Sequence, residues 1–153
     1  YVNGVQNTFL NGENVEKEIR NENITNLVSK YSSIPEIRKY LVQSQKELGK
    51  NKKIVVEGRD ITTVVFPNAE IKIFMTADID VRAKRRFKDM KANNPEITFS
   101  DVMKNLEDRD IKDSNRKDSP LTYAEGAILI DTSDLEIDAQ VKKIIDIIEQ
   151  KFS

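Results

Sequence analysis

Three charged residues in the C-terminal half have the spacing of one helix face. Arg109, Asp113 and Arg116 stand at positions i, i+4 and i+7, so a helix would bring their side chains together. Two guanidiniums beside one carboxylate can bind a phosphate bidentately while the carboxylate accepts from a sugar hydroxyl. A solvated row of ion pairs has the same spacing, is common and contributes little stability. The spacing alone leaves both interpretations open.

A second pair of opposite charges, Arg59 and Asp60, follows an apolar, β-branched run. The run at residues 54–57 predicts a buried strand of a parallel sheet, which Gly58 then ends. Because ligands bind outside the carboxyl ends of strands in open α/β sheets, this Arg and Asp are well placed to bind a polar ligand. A strand-end turn with a surface ion pair explains the pattern equally well.

The most basic stretch of the chain contains Arg82 and Arg86, at positions i and i+4 of a predicted helix. Binding of nucleic acid by stacking needs interleaved aromatic side chains, and Phe87 is the only one among residues 82–91. An RNA-binding surface is therefore a weak alternative, and a solvated helix face is a simpler one. The remaining basic residues of this stretch are Lys84, Arg85, Lys88 and Lys91.

Composition excludes several kinds of chemistry. The 153 residues include no Cys and no His, so a thiol nucleophile, a Cys/His zinc site and an imidazole base are all excluded. The formal net charge is -1, which provides no overall field to attract nucleic acid or an anionic membrane. No apolar run approaches the roughly 20 residues that span a bilayer, and no signal-peptide pattern opens the chain. We therefore expect a cytoplasmic protein with no membrane partner.

The first third of the chain predicts a small lobe. Two Asn-Gly turns, at residues 3–4 and 11–12, predict a small antiparallel sheet with a strand at residues 5–10. Asn23 is predicted to cap a helix, and Pro35 to lie in the first turn of a second helix that ends at Gly49. Since only two residues precede the first turn, we expect a further segment on the N-terminal side.

The rest of the chain alternates strands with helices, which predicts an α/β fold with a parallel sheet. Asp78 is the expected cap of one helix, and Thr98 or Ser100 of the next. Residues 114–120 are polar and predicted to form a loop. The predicted strands are residues 54–57, 71–75 and 127–130, and the predicted helices are residues 79–91, 101–110 and 137–152, the last with a buried side formed by Val141, Ile144, Ile145, Ile147 and Ile148.

Long motifs resemble bacterial cytidylate kinases. GRDITTVVFPNA at residues 58–69 is similar to the family's GRDIGTVVFPDA, and IKIFMTA at residues 71–77 to its next strand. The resemblance implies an α/β fold with a nucleoside-monophosphate-kinase-like parallel sheet of the P-loop type, whose first strand is absent, and a small NMP-binding lobe. It implies a lobe at residues 1–51 and an α/β core at residues 52–153, with a lid at about residues 87–117. The similarity continues through FLNGE at 9–13, RAKRR at 82–86 and RDIKDSNR at 109–116.

The resemblance implies transfer of the γ-phosphoryl group of ATP to CMP or dCMP, with Mg²⁺ entering with ATP and no metal ligand from this chain. It implies a monomer when complete, with no nucleic-acid partner. The alternatives are a kinase for another nucleoside monophosphate, such as UMP or AMP, and a nucleotide-binding module without catalysis.

The resemblance also implies roles for individual residues. Arg59 and Arg116 would bind the CMP phosphate, and Arg109 and Asp113 the ribose; Arg59, Arg109 and Arg116 would be catalytic. Asp60 would accept from the exocyclic amine of cytosine, a donor that uracil lacks. The residues that would complete the cytosine contacts are Ser29 and Arg38, and those that would reach the ATP phosphates from the lid are Arg82 and Arg86.

Three departures from the family pattern accompany the resemblance. No Gly-x-x-x-x-Gly-Lys-[Ser/Thr] loop occurs in the sequence, and in the family this loop holds the ATP phosphates. By the family mechanism, these 153 residues alone would then not form a competent kinase. Thr62 stands where the family has Gly, which would strain the loop if that position required a positive φ. Lys112 stands where relatives often have Arg, and so loses the bidentate fork.

Overall fold

The chain divides into two units, Tyr1–Leu48 and Gly49–Ser153. The structure, a computed structural model, describes residues 4–20, 22–32, 34–51, 53–92, 94–115 and 120–153. The assignment of an NMP-binding lobe to residues 1–51 and of a core with a lid to residues 52–153 stays a prediction. Within the described ranges, no helix combines the length and the apolar composition that a membrane span requires.

A tight hairpin opens the first unit. Strands β1 (Phe9–Leu10) and β2 (Glu13–Asn14) are antiparallel, with Leu10 opposite Glu13. The two turn residues, Asn11 and Gly12, have φ angles of 52° and 89°, as a two-residue type I′ turn requires. The second Asn-Gly turn is therefore confirmed, although the paired strand is shorter than the predicted residues 5–10. Asn3 of the other predicted turn lies outside the described residues.

A short 3-10 helix (Glu18–Arg20) and two α-helices follow the hairpin in the first unit. Helix α1 (Glu22–Tyr31) and helix α2 (Pro35–Gly49) match the predicted pair. Pro35 is the first residue of α2, where its missing N–H costs no hydrogen bond. The predicted cap at Asn23 is wrong, because α1 already begins at Glu22 and contains that residue.

A parallel pair of strands forms the sheet of the second unit. Strand β3 (Ile73–Thr76) pairs with β4 (Ile128–Asp131), with Ile73 opposite Ile128 and Thr76 opposite Asp131. This confirms an α/β fold with a small parallel sheet. The two strands lie within about two residues of the predicted ranges.

The strand predicted at residues 54–57 is wrong: these residues are not in a strand. Val55 is 95% exposed, and Ile54 and Val56 are about 40% exposed. A strand exists only when another strand accepts and donates its backbone hydrogen bonds. Among the described residues, the sheet consists of β3 and β4 alone, so the apolar run has no ladder to join.

A helical hairpin follows strand β3 in the sequence, and its two helices pack against each other. Helix α3 (Ile79–Lys91) has the predicted bounds, and α4 (Phe99–Ser114) is longer than the predicted residues 101–110. Thr98 is the N-cap of α4 and forms a capping box with Asp101, as one of the two predicted caps. Asp78 precedes α3 without a side-chain capping bond. The core of the hairpin consists of Ala83, Ile97, Val102 and Leu106, with Phe87, Met90 and Met103 packed against it.

The length of α4 matters for the site, because it places Asp113 on the helix and not in a loop. The predicted loop at residues 114–120 correspondingly begins after Ser114, and its residues 116–119 lie outside the described part of the chain. The backbone amide of Leu121 donates to the carbonyl of Asp113 at 2.8 Å, which ties the following segment to the end of α4.

The last helix, α5 (Ile137–Phe152), has the predicted bounds but not the predicted buried side. No residue of α5 is buried. Val141 and Ile145 are 49% and 46% exposed, whereas Ile144 and Ile147 are half-buried. The 3.6-residue periodicity correctly identifies the apolar face, but burial depends on what packs against that face.

Hydrogen bonds join α3 to the loop that follows β4. Arg85 donates from Nη2 to the carbonyl oxygens of Thr132, at 2.6 Å, and of Leu135, at 3.1 Å. The buried Thr132 hydroxyl donates to the carbonyl of Thr76 at the end of β3. These contacts join the middle of α3 to the segment that follows β4, and that segment to the end of β3.

Candidate active site

The turn after Gly58 determines the position from which the Arg59 side chain extends. The carbonyl of Asp60 accepts from the amides of Val64, at 2.9 Å, and Val65, at 3.3 Å, within a single π-helical turn. Ile61 and Val65 anchor this turn because both are buried. A Cβ at Gly58 would lie 2.7 Å from Cγ1 of Ile61, so the turn closes only over a glycine.

Thr62 does not strain this turn. Among the described residues, the non-glycine residues with positive φ are Asn11 and Asn51. Thr62 therefore keeps an ordinary right-handed or extended backbone, and the condition under which it would be strained is not met.

A buried carboxylate lies at the centre of the site. Asp113, on the last turn of α4, is 3% exposed, and Oδ2 forms an ion pair with Nη1 of Arg59. An ionised carboxylate is costly to bury unless a charged partner or several hydrogen bonds compensate. Arg59 supplies that charge. Its own side chain remains one-third exposed, so the guanidinium also contacts solvent.

A second carboxylate links Arg59 to helix α3. Oδ1 of Asp110 lies 3.6 Å from Nη1 of Arg59, and Oδ2 lies 2.7 Å from Nη1 of Arg82. Arg82 also donates from Nε to the carbonyl of Ala77 at 3.1 Å. Asp110 thus lies between two guanidiniums that come from different elements.

Two further arginines lie in the same region. Burial, followed by the positive charges of Arg59 and Arg86, lowers the pKa of Arg109, while Asp113 and Asp110 act in the opposite direction. Nε of Arg86 is buried and has no hydrogen-bond partner in the described part of the chain. An arginine stays charged at any physiological pH, so these guanidiniums repel one another.

We call Arg59, Arg82, Arg86, Arg109, Asp110 and Asp113 the arginine cluster. Four guanidiniums face two carboxylates, which leaves a surplus of positive charge. Such a set suits a ligand with several phosphate oxygens, because each guanidinium offers a fork of donors. No group of three or more Asp and Glu residues in the described ranges could hold a metal ion.

The basic stretch at residues 82–91 does not form one continuous surface. Arg82 and Arg86 belong to the arginine cluster, whereas Arg85 donates to backbone carbonyls after β4. Lys91 donates to the carbonyls of Pro95 and Ile97. Arg82, Arg85 and Lys91 thus point to separate partners, so these three cations do not form a single binding face.

The predicted site residues fall in both units. Six of the nine lie in the described part of the second unit, with Asp60 beside Arg59 in the turn and the other five in the arginine cluster. Ser29 lies in α1 and Arg38 in α2, where Nη1 of Arg38 donates to the carbonyl of Ser32 at 3.2 Å. Arg116 lies outside the described residues.

Sequence reasoning missed Asp110 as a site residue. It stands three residues before Asp113, so a helix places both carboxylates on one face. That spacing was available in the sequence, but the contact of Asp110 with Arg59 and Arg82 joins three distant segments and has no local pattern.

Comparison with known proteins bears on this site. The model of the cytidylate kinase family matches residues 2–150. A cytidylate kinase from Flavobacterium johnsoniae is 48% identical over 145 residues, covering 95% of this chain and 63% of the relative. Those from Flavobacterium psychrophilum and Fervidobacterium nodosum are 47% and 44% identical, with 64% and 65% of their lengths covered. The chain therefore spans slightly less than two thirds of the length of these relatives.

Proposed function

The chain belongs to the cytidylate kinase family, and we propose that the protein carrying it transfers the γ-phosphoryl group of ATP to CMP or dCMP. The products would be ADP and CDP or dCDP. The observation that supports this proposal is the arginine cluster, in which Arg59 pairs with the buried Asp113 and Arg82 pairs with Asp110 on the same helix.

The cluster suits phosphoryl transfer because this reaction requires mainly positioning and charge. The attacking group is an oxygen of the CMP phosphate, which is largely ionised at pH 7, so no side chain has to remove a proton. Two anionic phosphates must approach each other in line, and positive side chains offset their repulsion. In this proposal Arg59, Arg109 and Arg116 bind the CMP end of the reacting pair and stabilise the transferring group.

Asp113 is proposed to accept from a ribose hydroxyl. A carboxylate has about four lone-pair sites, so it can keep its ion pair with Arg59 and still accept from a sugar. Arg109, four residues earlier on α4, is proposed to contact the same ribose. The Arg59 guanidinium then holds the phosphate of the nucleotide whose sugar Asp113 has fixed.

Selection of cytosine is proposed to rest on Asp60, Ser29 and Arg38. Asp60 would accept from the exocyclic amine, and the other two would donate to the ring acceptors. Uracil presents an oxygen in place of the amine, which a carboxylate repels. A pocket built to bond one polar group rejects an analogue that lacks it far better than an apolar pocket does.

Arg82 and Arg86 are proposed to contact the ATP phosphates. The unpartnered Nε of Arg86 supports this, because a buried donor gains from an acceptor that a phosphate supplies. Mg²⁺ is proposed to enter bound to ATP, since Mg²⁺ at such sites takes many of its ligands from phosphates and water. The described residues hold no carboxylate cage for it.

The finer architecture is also a proposal. The β3–β4 pair would be part of a larger parallel sheet of the P-loop nucleoside monophosphate kinase type. The uncovered apolar run at residues 54–57 supports this, because its composition is that of a buried strand. Residues 1–51 would form the NMP-binding lobe, and about residues 87–117 the lid, with closure of both accompanying catalysis.

The test is ADP formation from Mg-ATP with CMP, dCMP, UMP or AMP as acceptor, by the protein that carries this chain. We expect turnover with CMP or dCMP and at least a tenfold lower kcat/KM for UMP and AMP, because only cytosine offers its amine to Asp60. Faster turnover with UMP or AMP would replace the proposed substrate. CMP binding without ADP formation would favour a binding module.

A further inference from the structure

Asp110 is the one member of the arginine cluster to which the proposed function gives no task. It touches neither sugar nor base in that proposal, yet its two oxygens contact guanidiniums from two different elements. Arg59 leaves the turn after Gly58, and Arg82 lies in the first turns of α3. Asp110 itself lies on α4, so three segments of the second unit meet at this carboxylate.

We infer that Asp110 is a positioning residue, whose carboxylate holds Arg59 and Arg82 close together, so that the two guanidiniums bind phosphates that meet during transfer and can both contact a single pyrophosphate. The inference rests on the proposed function, in which Arg59 serves the phosphate of CMP and Arg82 those of ATP. It adds that the two arginines act as a coupled pair.

The geometry favours this over an incidental surface ion pair. An isolated exposed pair contributes little, because solvent screens it and its side chains lose freedom. Here the carboxylate is 29% exposed, and Arg82 is also held through Nε by the carbonyl of Ala77. Arg59 has a second partner in the buried Asp113. Both guanidiniums are thus fixed at two points, and Asp110 is the point they share.

Two roles for Asp110 make opposite predictions. If it only neutralised charge, removing it would raise the positive potential and tighten the binding of any anion. If it positions the arginines, removing it lets Arg59 and Arg82 move apart under mutual repulsion, alongside Arg86 and Arg109. A polyphosphate that contacts both guanidiniums would then bind more weakly, although the net charge of the site has become more positive.

The test compares pyrophosphate binding to the chain and to two variants by calorimetry, at one low ionic strength. Asp110→Asn should bind pyrophosphate roughly tenfold more weakly than the unchanged chain, the loss expected for one charge-assisted contact. The matched control is Asp108→Asn, which removes the same charge from an exposed position of the same helix. It should bind pyrophosphate at least as tightly as the unchanged chain.

Pyrophosphate binding by Asp110→Asn that equals or exceeds that of the unchanged chain would overturn the inference. Thermal melting of both variants establishes that they are folded. Should Asp110→Asn fail to fold, the unchanged chain decides the matter through ¹⁵N resonances of Arg Nε, assigned with Arg59→Lys and Arg82→Lys. Both resonances should shift along one pyrophosphate isotherm, and an unmoved Arg82 resonance would contradict the coupling.

This design separates the inference from the function on which it rests. Pyrophosphate binding requires no turnover, so an inactive protein whose Asp110→Asn variant binds weakly would refute the proposed kinase and leave the coupled pair standing. An active cytidylate kinase whose Asp110→Asn variant binds pyrophosphate as tightly as the unchanged chain would support the proposed function and refute the coupled pair.

Discussion

At the scale of single residues, the proposed role of the buried Asp113 in ligand binding fits the energetics of buried charges. Replacing a buried ion pair by apolar side chains often leaves a protein as stable or more stable, so burial of a charge seldom serves stability. The Arg59 partner of Asp113 is one-third exposed and also contacts Asp110. Arg59 would therefore remain solvated and paired without Asp113, which points to what Asp113 offers a substrate.

Replacing Asp113 by Ala should raise the KM for CMP roughly 10- to 100-fold, which corresponds to one or two lost hydrogen bonds to a charged group. The KM for ATP should change little, because the proposed contact is with the ribose of CMP. Steady-state kinetics with each substrate varied in turn would measure both values.

Asp108→Ala is the control for this substitution, since it shortens an exposed carboxylate on the same helix. Unchanged kinetics in Asp113→Ala would remove Asp113 from the substrate site. Equal increases in both KM values, with a lowered melting temperature, would show that its role is structural.

The sequence located part of the site through local spacing and part through resemblance. The i, i+4 relation of Arg109 and Asp113 requires only a helix, and α4 provides one. The resemblance singled out Arg59, Arg82 and Arg86, which spacing alone could not connect to α4. Asp110 lies within the RDIKDSNR motif, but neither the helical period nor the motif indicates its role, because its contacts with Arg59 and Arg82 are long-range.

At the scale of elements, the capping box at the start of α4 supports the site from a distance. Thr98 accepts from the amide of Asp101 at 3.2 Å, and Asp101 accepts from the amide of Thr98 at 3.1 Å. Hydrogen bonds from the side chain and then the backbone of Thr98 lower the pKa of Asp101. The helix that begins here carries Arg109 and Asp113 three turns later.

Replacing Thr98 by Ala should lower the melting temperature at pH 7 by about 2 to 4 °C, as loss of an N-cap does in a domain of this size. The pKa of Asp101 is lowered by folding, so its contribution is present above its unfolded value, about 4, and is lost as pH falls through the folded value. The difference in melting temperature between the unchanged chain and Thr98→Ala should therefore become smaller below about pH 4.

Melting curves between pH 2.5 and 7 would measure this difference. Ser100→Ala is the matched control, because it removes a hydroxyl from the same turn without touching the capping box. If Thr98→Ala lowers the melting temperature by the same amount at every pH in this range, the ionised Asp101 is not involved.

Helices were predicted better than strands in this chain for a physical reason. The bounds of α3 and α5 follow from local periodicity and flanking residues, since a helix satisfies its own backbone. Residues 54–57 have a strand composition, but strand formation depends on a partner elsewhere. The prediction of a buried side on α5 was wrong for a related reason, because periodicity identifies the apolar face but not whether another element packs against it.

At the scale of the whole molecule, the proposed function is divided between the two units. Ser29 and Arg38, proposed to read the base, belong to the first unit, and the arginine cluster belongs to the second. In this proposal base selection uses residues of both units, because Asp60 belongs to the second unit, whereas phosphate binding uses the second unit alone.

The uncovered run at residues 54–56 determines how a solution of this chain behaves as it is concentrated. Val55 is 95% exposed within a β-branched sequence, and Leu129 of β4 is 56% exposed. Apolar segments of high β-propensity without a partner pair with those of neighbouring molecules. Colloidal stability of the 153-residue chain should thus fall steeply with concentration, and Val55→Lys should restore it. Light scattering over a concentration series would measure this loss of colloidal stability. The control is Val141→Lys, which adds the same charge on the exposed helix α5. Equal scattering from the two variants would show that the added charge alone causes the effect.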